Sequence, residues 1–345
     1  MFFEGLSVKP LAIGAKSSPR ILIIKMSSLG DLFHALPAVH SLKTGLNATI
    51  DWVVNSQYRK TVECFTDVDR VIEFPRRNIV AGYKKLRCDI RLHTYDIVID
   101  MQGLLKSAFV AMTAKRTRRI GPSFCREFAH LFYRELAGVK DKNRHAVEEC
   151  LDVVRYLGLD IDRSPPPVAF PKYPIHLPRP SVAFAPASRW KTKNWSPEYF
   201  IKTGLALQKE CHATIFLVGA KEDRPVCEQI SDGFSGGIVN TAGKTDIPQL
   251  AGLLSDMDLL ISVDSGPVHI AATLQTPVLG LYGLTNPIRT GPNGEIHRVL
   301  RASGNSYSHS DFRKPTSQNL NVMQSIKPAT VIEVALQMLK HEFGS

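Results

Sequence analysis

Two short segments, far apart in the chain, share one plan: Ile21-Leu-Ile-Ile-Lys-Met-Ser-Ser-Leu-Gly-Asp31 and Leu259-Leu-Ile-Ser-Val-Asp-Ser-Gly-Pro-Val-His269. Each predicts an apolar strand that runs into a Ser/Gly turn carrying an acid, then into a helix. Parallel α/β sheets bind ligands in the crevice beyond the carboxyl ends of their strands. Two such strand ends, one in each half, predict two sheets facing each other across a cleft, with a carboxylate on each wall.

The rest of the chain fits that plan. In the first half, strand patterns at 20–25, 49–54, 70–74, 95–100 and 118–121 alternate with helical patterns at 31–43, 57–65, 80–92 and 104–115. Helical stretches at 125–136 and 145–157 follow. In the second half, strand patterns at 181–185, 213–218, 237–239, 258–263 and 277–281 alternate with helical patterns at 197–210, 222–234, 247–254 and 267–274. Such alternation implies parallel sheets covered on both faces. Between the halves lies a proline-rich run from Ser164 to Pro180, too rich in proline for a helix or central strand, which reads as a stiff connector. Residues 303–317 read as a mobile polar loop. A closing helical segment, 330–345, can pack back on the first domain.

Composition limits the function. The charge of +11 points to polyanionic partners, and basic clusters gather in the first half at Arg76-Arg77, Lys84-Lys85-Leu-Arg87 and Lys115-Arg-Thr-Arg-Arg119. A nucleic-acid-binding module is the non-enzymatic rival, but no aromatic-studded basic motif accompanies the charge. The six cysteines include no Cys-x-x-Cys pair and read as reduced structural thiols of a cytosolic protein. No apolar run of about 18 residues suggests a membrane span. Residues 1–19 read as a flexible N-terminal extension rather than a signal peptide.

Missing motifs narrow the chemistry. There is no Gly-x-Gly-x-x-Gly, no phosphate-binding Gly-Lys-Ser/Thr loop and no Gly-x-Ser-x-Gly elbow. The pairs Asp67/Asp69, Asp160/Asp162 and Asp256/Asp258 precede apolar runs and read as loop or strand-entry residues rather than metal ligands. Asp31 suits either a helix cap or a general base at a strand's carboxyl edge. After residues 181–185, a loop carrying Arg189, Lys191 and Lys193 suits a pyrophosphate. Gly266 allows close backbone approach, and Pro267 sits well at a first helical position whose free N–H groups favour an anion. His269 lies one turn further on. Glu222 and Asp223 suit either ribose hydroxyls or a helix cap, and Lys244 and Thr245 border a base.

These residues resemble glycosyltransferase family 9, the lipopolysaccharide heptosyltransferases. The matching segments are residues 24–31, 95–108, 126–133, 145–148, 193–195, 262–269 and 282–287. The resemblance implies an α/β GT-B fold, two Rossmann-like parallel-sheet domains facing across a cleft. It assigns an acceptor-binding domain to 20–170 and a nucleotide-sugar donor-binding domain to 171–329. It implies inverting, metal-independent transfer of heptose from ADP-heptose to an acidic, Kdo-type sugar of the lipopolysaccharide inner core, without a cofactor. Asp31 corresponds to the general base. Ser188, Arg189, Lys193, Asp264, Ser265, Gly266, His269 and Asp223, with Lys191, Glu222, Lys244 and Thr245 beside them, are the expected donor residues. Ser28, Gly30, Arg76, Arg77, Asp100, Gln102, Lys106 and Arg126 are the expected acceptor residues. The partners implied are the donor, a lipid-anchored anionic glycolipid and, peripherally, the cytoplasmic face of the inner membrane, with no nucleic acid and a monomeric enzyme. The alternative within enzymes is a family 9 transferase using another nucleotide sugar or a later core acceptor.

Overall fold

The computed structural model describes residues 18–75, 79–141, 143–175, 178–303 and 311–343. Contacts divide the chain into two units, Met1–Ala169 and Phe170–Ser345.

The first unit runs β1 (Arg20–Ile24), α1 (Leu29–Leu46), β2 (Thr49–Asn55), α2 (Arg59–Val62), β3 (Arg70–Phe74), α3 (Ile79–Arg91), β4 (Thr94–Asp100), α4 (Leu105–Thr113), β5 (Lys115–Pro122), β6 (Glu135–Ala137) and α5 (Ala146–Tyr156). Its sheet is parallel, in the order β3-β2-β1-β4-β5-β6. Ile21, Leu22, Ile23 and Ile24 are fully buried, because both faces of a parallel sheet are covered and alternation gives way to continuous apolar residues.

The second unit runs β7 (Ser181–Ala185), α6 (Pro197–Cys211), β8 (Thr214–Leu217), α7 (Arg224–Ser231), β9 (Ile238–Asn240), α8 (Ile247–Leu254), β10 (Leu259–Val263), α9 (Gly266–Thr273), β11 (Val278–Tyr282), α10 (Pro287–Thr290), β12 (Arg298–Arg301), α11 (Ser317–Asn321) and α12 (Pro328–Phe343). Its parallel sheet has the order β12-β11-β10-β7-β8-β9. Counted within each unit, both orders are 3-2-1-4-5-6, that of nucleotide-binding doubly wound folds. In each, the strand order reverses between the first and fourth strands, where two loops part and leave a crevice.

Several expectations need correction. Residues 125–136 do not form a helix: the chain makes a 3-10 turn at Ala129–Phe132 and then the edge strand β6. Tyr133 decides this, because its hydroxyl donates to the buried Asp100 carboxylate at 2.5 Å and draws the backbone to the sheet. Residues 57–65 give only a 3-10 turn and the short α2. The closing helix places Val331, Ala335 and Leu339 in the second unit's core, against α6. Within the polar stretch, Asp311–Arg313 form a 3-10 turn that packs on the loop after β7. The extension over residues 1–17 and the pair Arg76 and Arg77 lie outside the described residues.

Four of the six acids in the Asp pairs are spent on structure. Asp67 bonds His40 at 2.8 Å, Asp69 bonds Lys43 at 2.7 Å, Asp162 caps Ser164, and Asp258 holds Arg179 and the Ser181 N–H. No group of three or more His, Cys, Asp or Glu among the described residues is arranged to hold a metal. Burial lifts the Cys125 and Cys150 thiols to about 11 and Cys227 to about 12, so they stay protonated. No helix among the described residues is long and apolar enough to cross a membrane.

One buried histidine makes the second unit sensitive to acid. His297 is 7% exposed, and burial depresses its pKa from 6.5 to about 4. A depressed folded-state pKa contributes stability that is complete above 6.5 and is lost as pH falls through 6.5 toward about 4. The effect at the acid end is on the order of 3 kcal/mol. His297→Gln should therefore flatten the fall of the urea midpoint between neutral and mildly acid pH. An unchanged slope in that variant would remove His297 as its source.

Candidate functional site

The second unit's crevice is built from the loops after β7 and β10. The loop after β7 folds on itself. The Ser188 N–H donates to Asn194 Oδ1 at 2.9 Å, the Ser188 hydroxyl donates to the Trp190 carbonyl at 3.0 Å, and Lys191–Lys193 close a 3-10 turn. That turn aims the Lys193 ammonium at Asp264 Oδ2, 2.7 Å away at the end of β10. Asp264 is 7% exposed, so this pair spans the crevice below its mouth. Ser265 precedes α9, whose first turn carries Pro267 at a position needing no N–H donor. Unpaired N–H groups and the positive end of the helix dipole there favour an anion. A lysine and a helix start thus meet here, with the exposed Arg189 on the same loop, an arrangement suited to a diphosphate.

Aromatic rings support these cations. Lys193 Nζ lies 4.7 Å from the Phe312 ring centre, Arg313 lies 5.2 Å from the same ring, and Arg189 stacks 5.5 Å from Trp190. The Thr192 hydroxyl donates to the Phe312 carbonyl, fixing the Asp311–Arg313 turn to the loop. Phe312 and Arg313 escaped sequence reasoning because nothing near them repeats a motif. Asn194 lies in the matching segment 193–195, but its bond to the Ser188 N–H joins residues that no motif spacing links. Lys191 is exposed and its side chain has no partner among the described residues, so the two candidate lysines differ sharply in setting.

The remaining donor candidates lie at neighbouring strand ends. Asp223 accepts from the Ala220 N–H at 2.8 Å, capping the turn before α7, and Gly219 makes room for it. Burial raises the Asp223 pKa, and the bond from the Ala220 N–H works against that rise. Glu222 is exposed beside it, and Lys244 donates to the Asn240 carbonyl at 2.7 Å. Thr245 and His269 are half-buried.

The first unit's crevice follows the same logic. Asp31 stands in the first turn of α1, and its Oδ2 accepts from the Ser28 N–H at 2.7 Å and the Ser28 hydroxyl at 2.8 Å. The capping role and solvent access coexist, since Asp31 and Gly30 are half-buried and Ser28 is exposed. Gln102, from the loop after β4, accepts from the Met26 and Ser27 N–H groups at 2.9 and 3.0 Å and so fixes the loop that leads to Asp31. Lys25, 5% exposed, donates to the Met101 carbonyl at 2.7 Å and links the same two loops from beneath.

Asp100 departs from expectation. It is 1% exposed, and its carboxylate accepts from the Gln102 and Gly103 N–H groups and the Ser107 and Tyr133 hydroxyls. Its bonds are made within the fold, where it shapes the turn after β4 instead of reaching outward to an acceptor. Beside it lies a small pocket of about 10 Å³, lined in part by Asp100, Met101, Pro122, Phe124, Glu149 and Cys150. The side chains of Lys106 and Arg126 are exposed and without partners among the described residues.

Two doubly wound parallel sheets, each with polar groups at its strand reversal, define the GT-B class of transferase. The family model for glycosyltransferase family 9 (heptosyltransferase) matches residues 83–320, and the chain belongs to that family. It is a glycosyltransferase. It is 30% identical to lipopolysaccharide heptosyltransferase 1 of Salmonella typhimurium, over 80% of this chain and 92% of that one. It is 26% identical to the lipopolysaccharide core heptosyltransferase OpsX of Haemophilus influenzae, over 86% and 88%. The structure of the E. coli heptosyltransferase WaaC with ADP-2-deoxy-2-fluoro heptose superposes with a TM-score of 0.73 at 26% identity, covering 92% of this chain and 99% of that one.

Proposed function

We propose that this chain moves heptose from ADP-heptose to an acidic, Kdo-type sugar of the lipopolysaccharide inner core, with inversion and without a metal. The observation that carries this reading is the Lys193–Asp264 pair at the start of α9, a cradle for the leaving diphosphate. The relatives' lipopolysaccharide substrates and WaaC's bound ADP-sugar analogue support the choice of donor and acceptor.

In the proposed mechanism, Asp31 takes the proton from an acceptor hydroxyl as that oxygen attacks the anomeric carbon. The bond to the diphosphate oxygen breaks on the opposite side. Negative charge grows on the diphosphate, and Lys193, Arg189 and the N–H groups at Ser265-Gly266 stabilise it. Asp223 or Glu222 would meet the ribose, with Lys244 and Thr245 near the base. Lys106 and Arg126 would attract the acceptor's carboxylates and phosphates, as would Arg76 and Arg77. The acceptor would be lipid-anchored, which would bring the enzyme, taken as a monomer, to the cytoplasmic face of the inner membrane.

The test is product analysis with ADP-heptose, competing sugar nucleotides and truncated core acceptors. The expected product is a heptosylated core of inverted anomeric configuration, formed equally well with a chelator present. Preference for another sugar nucleotide, or for acceptors already bearing heptose, would shift the reading to another family member's reaction.

A further inference from the structure

The outward stripe of α4 reverses the usual pattern. Its exposed positions are Lys106, Phe109 and Met112, three residues apart on one face, with Phe109 and Met112 each 46% exposed. A solvent-facing helix stripe is normally polar. Alongside runs the turn through Ala129–Phe132. The Glu127 carboxylate accepts from the Leu105 N–H at 3.1 Å, and the Phe132 ring packs 5.3 Å from that of Phe109. This turn holds Phe128 and Leu131 outward, 74% and 73% exposed.

The backbone is bent to achieve this. Glu127 and Phe128 both have left-handed φ, 54° and 59°, a conformation that L-residues other than Asn and Asp adopt at a cost. Such strain persists where the surroundings hold it and tends to mark functional surfaces. Adjoining charges are mainly of one sign. Lys115, Arg116, Arg126 and Arg134 are exposed, and Glu127 is tied to the backbone. Arg116 and Arg134 also bear on Arg119, which donates to the Phe132 carbonyl at 2.9 Å.

We propose that the α4 stripe and the Phe128–Leu131 turn form a membrane-docking surface, in which Phe109, Met112, Phe128 and Leu131 enter the headgroup region of an anionic bilayer while the flanking Lys115, Arg116 and Arg134 side chains bind lipid phosphates. Apolar insertion and basic contacts each bind weakly alone and reinforce one another at such a surface. A protein partner would also cover apolar residues, but the one-signed rim and the rarity of acids favour a continuous anionic sheet. This deepens the proposed function, because it says where the enzyme meets the surface carrying a lipid-anchored acceptor.

The experiment separates the two readings. Vesicle flotation of the full chain, without substrates, uses phosphatidylcholine with or without phosphatidylglycerol. Transfer is measured separately on a water-soluble, deacylated acceptor. Wild type should float with the anionic vesicles and much less with the neutral ones. F128S/L131S should weaken that binding about tenfold or more, and K115E/R116E should remove the preference for anionic lipid. The Leu205→Ser control, an exposed leucine on α6 of the second unit, should do neither. Because serine pairs can disturb folding, F128W offers a gentler probe: its fluorescence should be quenched by brominated lipid. Equal flotation of F128S/L131S and wild type, no preference for anionic vesicles, or an unquenched F128W would each overturn the proposal. Transfer to the soluble acceptor should be unchanged in these variants. Its absence in wild type would instead reject the proposed reaction and leave the docking result intact.

Discussion

Asp31→Asn is expected to fold, to bind ADP as wild type does, and to lose about 100- to 10,000-fold in turnover, the usual worth of a positioned base. The asparagine side-chain oxygen can still accept from the Ser28 N–H and hydroxyl, which Asp31 holds at 2.7 and 2.8 Å. The turn before α1 therefore keeps its shape. What goes is a negative charge at a helix start, worth about 0.3–1 kcal/mol of stability, and the ability to accept a proton. Steady-state kinetics with ADP titration distinguishes these losses. A variant with near-normal turnover would dismiss Asp31 as the base and leave it a helix cap.

The second large effect concerns Lys193. Lys193→Gln leaves Asp264 buried and uncompensated, and breaking such a pair from one side costs about 3–5 kcal/mol. The single variant should therefore unfold more easily as well as bind ADP poorly. Adding Asp264→Asn removes the stranded charge, so the double variant should recover much of the stability. It should not recover ADP affinity, which is expected to stay about 10- to 100-fold weaker, the worth of a charge-assisted contact to phosphate. Lys191→Gln, at an exposed position, should change both quantities little. Calorimetric titration beside urea unfolding reads both. A double variant that binds ADP normally would move the diphosphate elsewhere.

The strands were legible because buried parallel strands are continuous apolar runs: β1 and β10 fall where their leucine, isoleucine and valine stretches predict. The residues at the two strand reversals were legible for a related reason, since a strand that ends in Ser, Gly and an acid must turn there. The 125–136 segment misled because its apolar residues have helical spacing, yet Tyr133 is claimed by Asp100 and Ala129 alone in its turn is fully buried. Asp100 itself looked like a surface contact, because a sequence cannot show that four donors converge on it. The aromatic support from Phe312 was invisible for the same reason: its tie to Lys193 exists only once distant segments have met.

The bond between Lys193 and Asp264 has a consequence for how this enzyme cycles. The ammonium has a resident counter-ion, so in the proposed reaction an arriving diphosphate would compete with a carboxylate rather than with water alone. That competition would temper affinity for the nucleotide. When spent nucleotide departed, a replacement anion would already be within reach, and the lysine would return to the same aim for the next round.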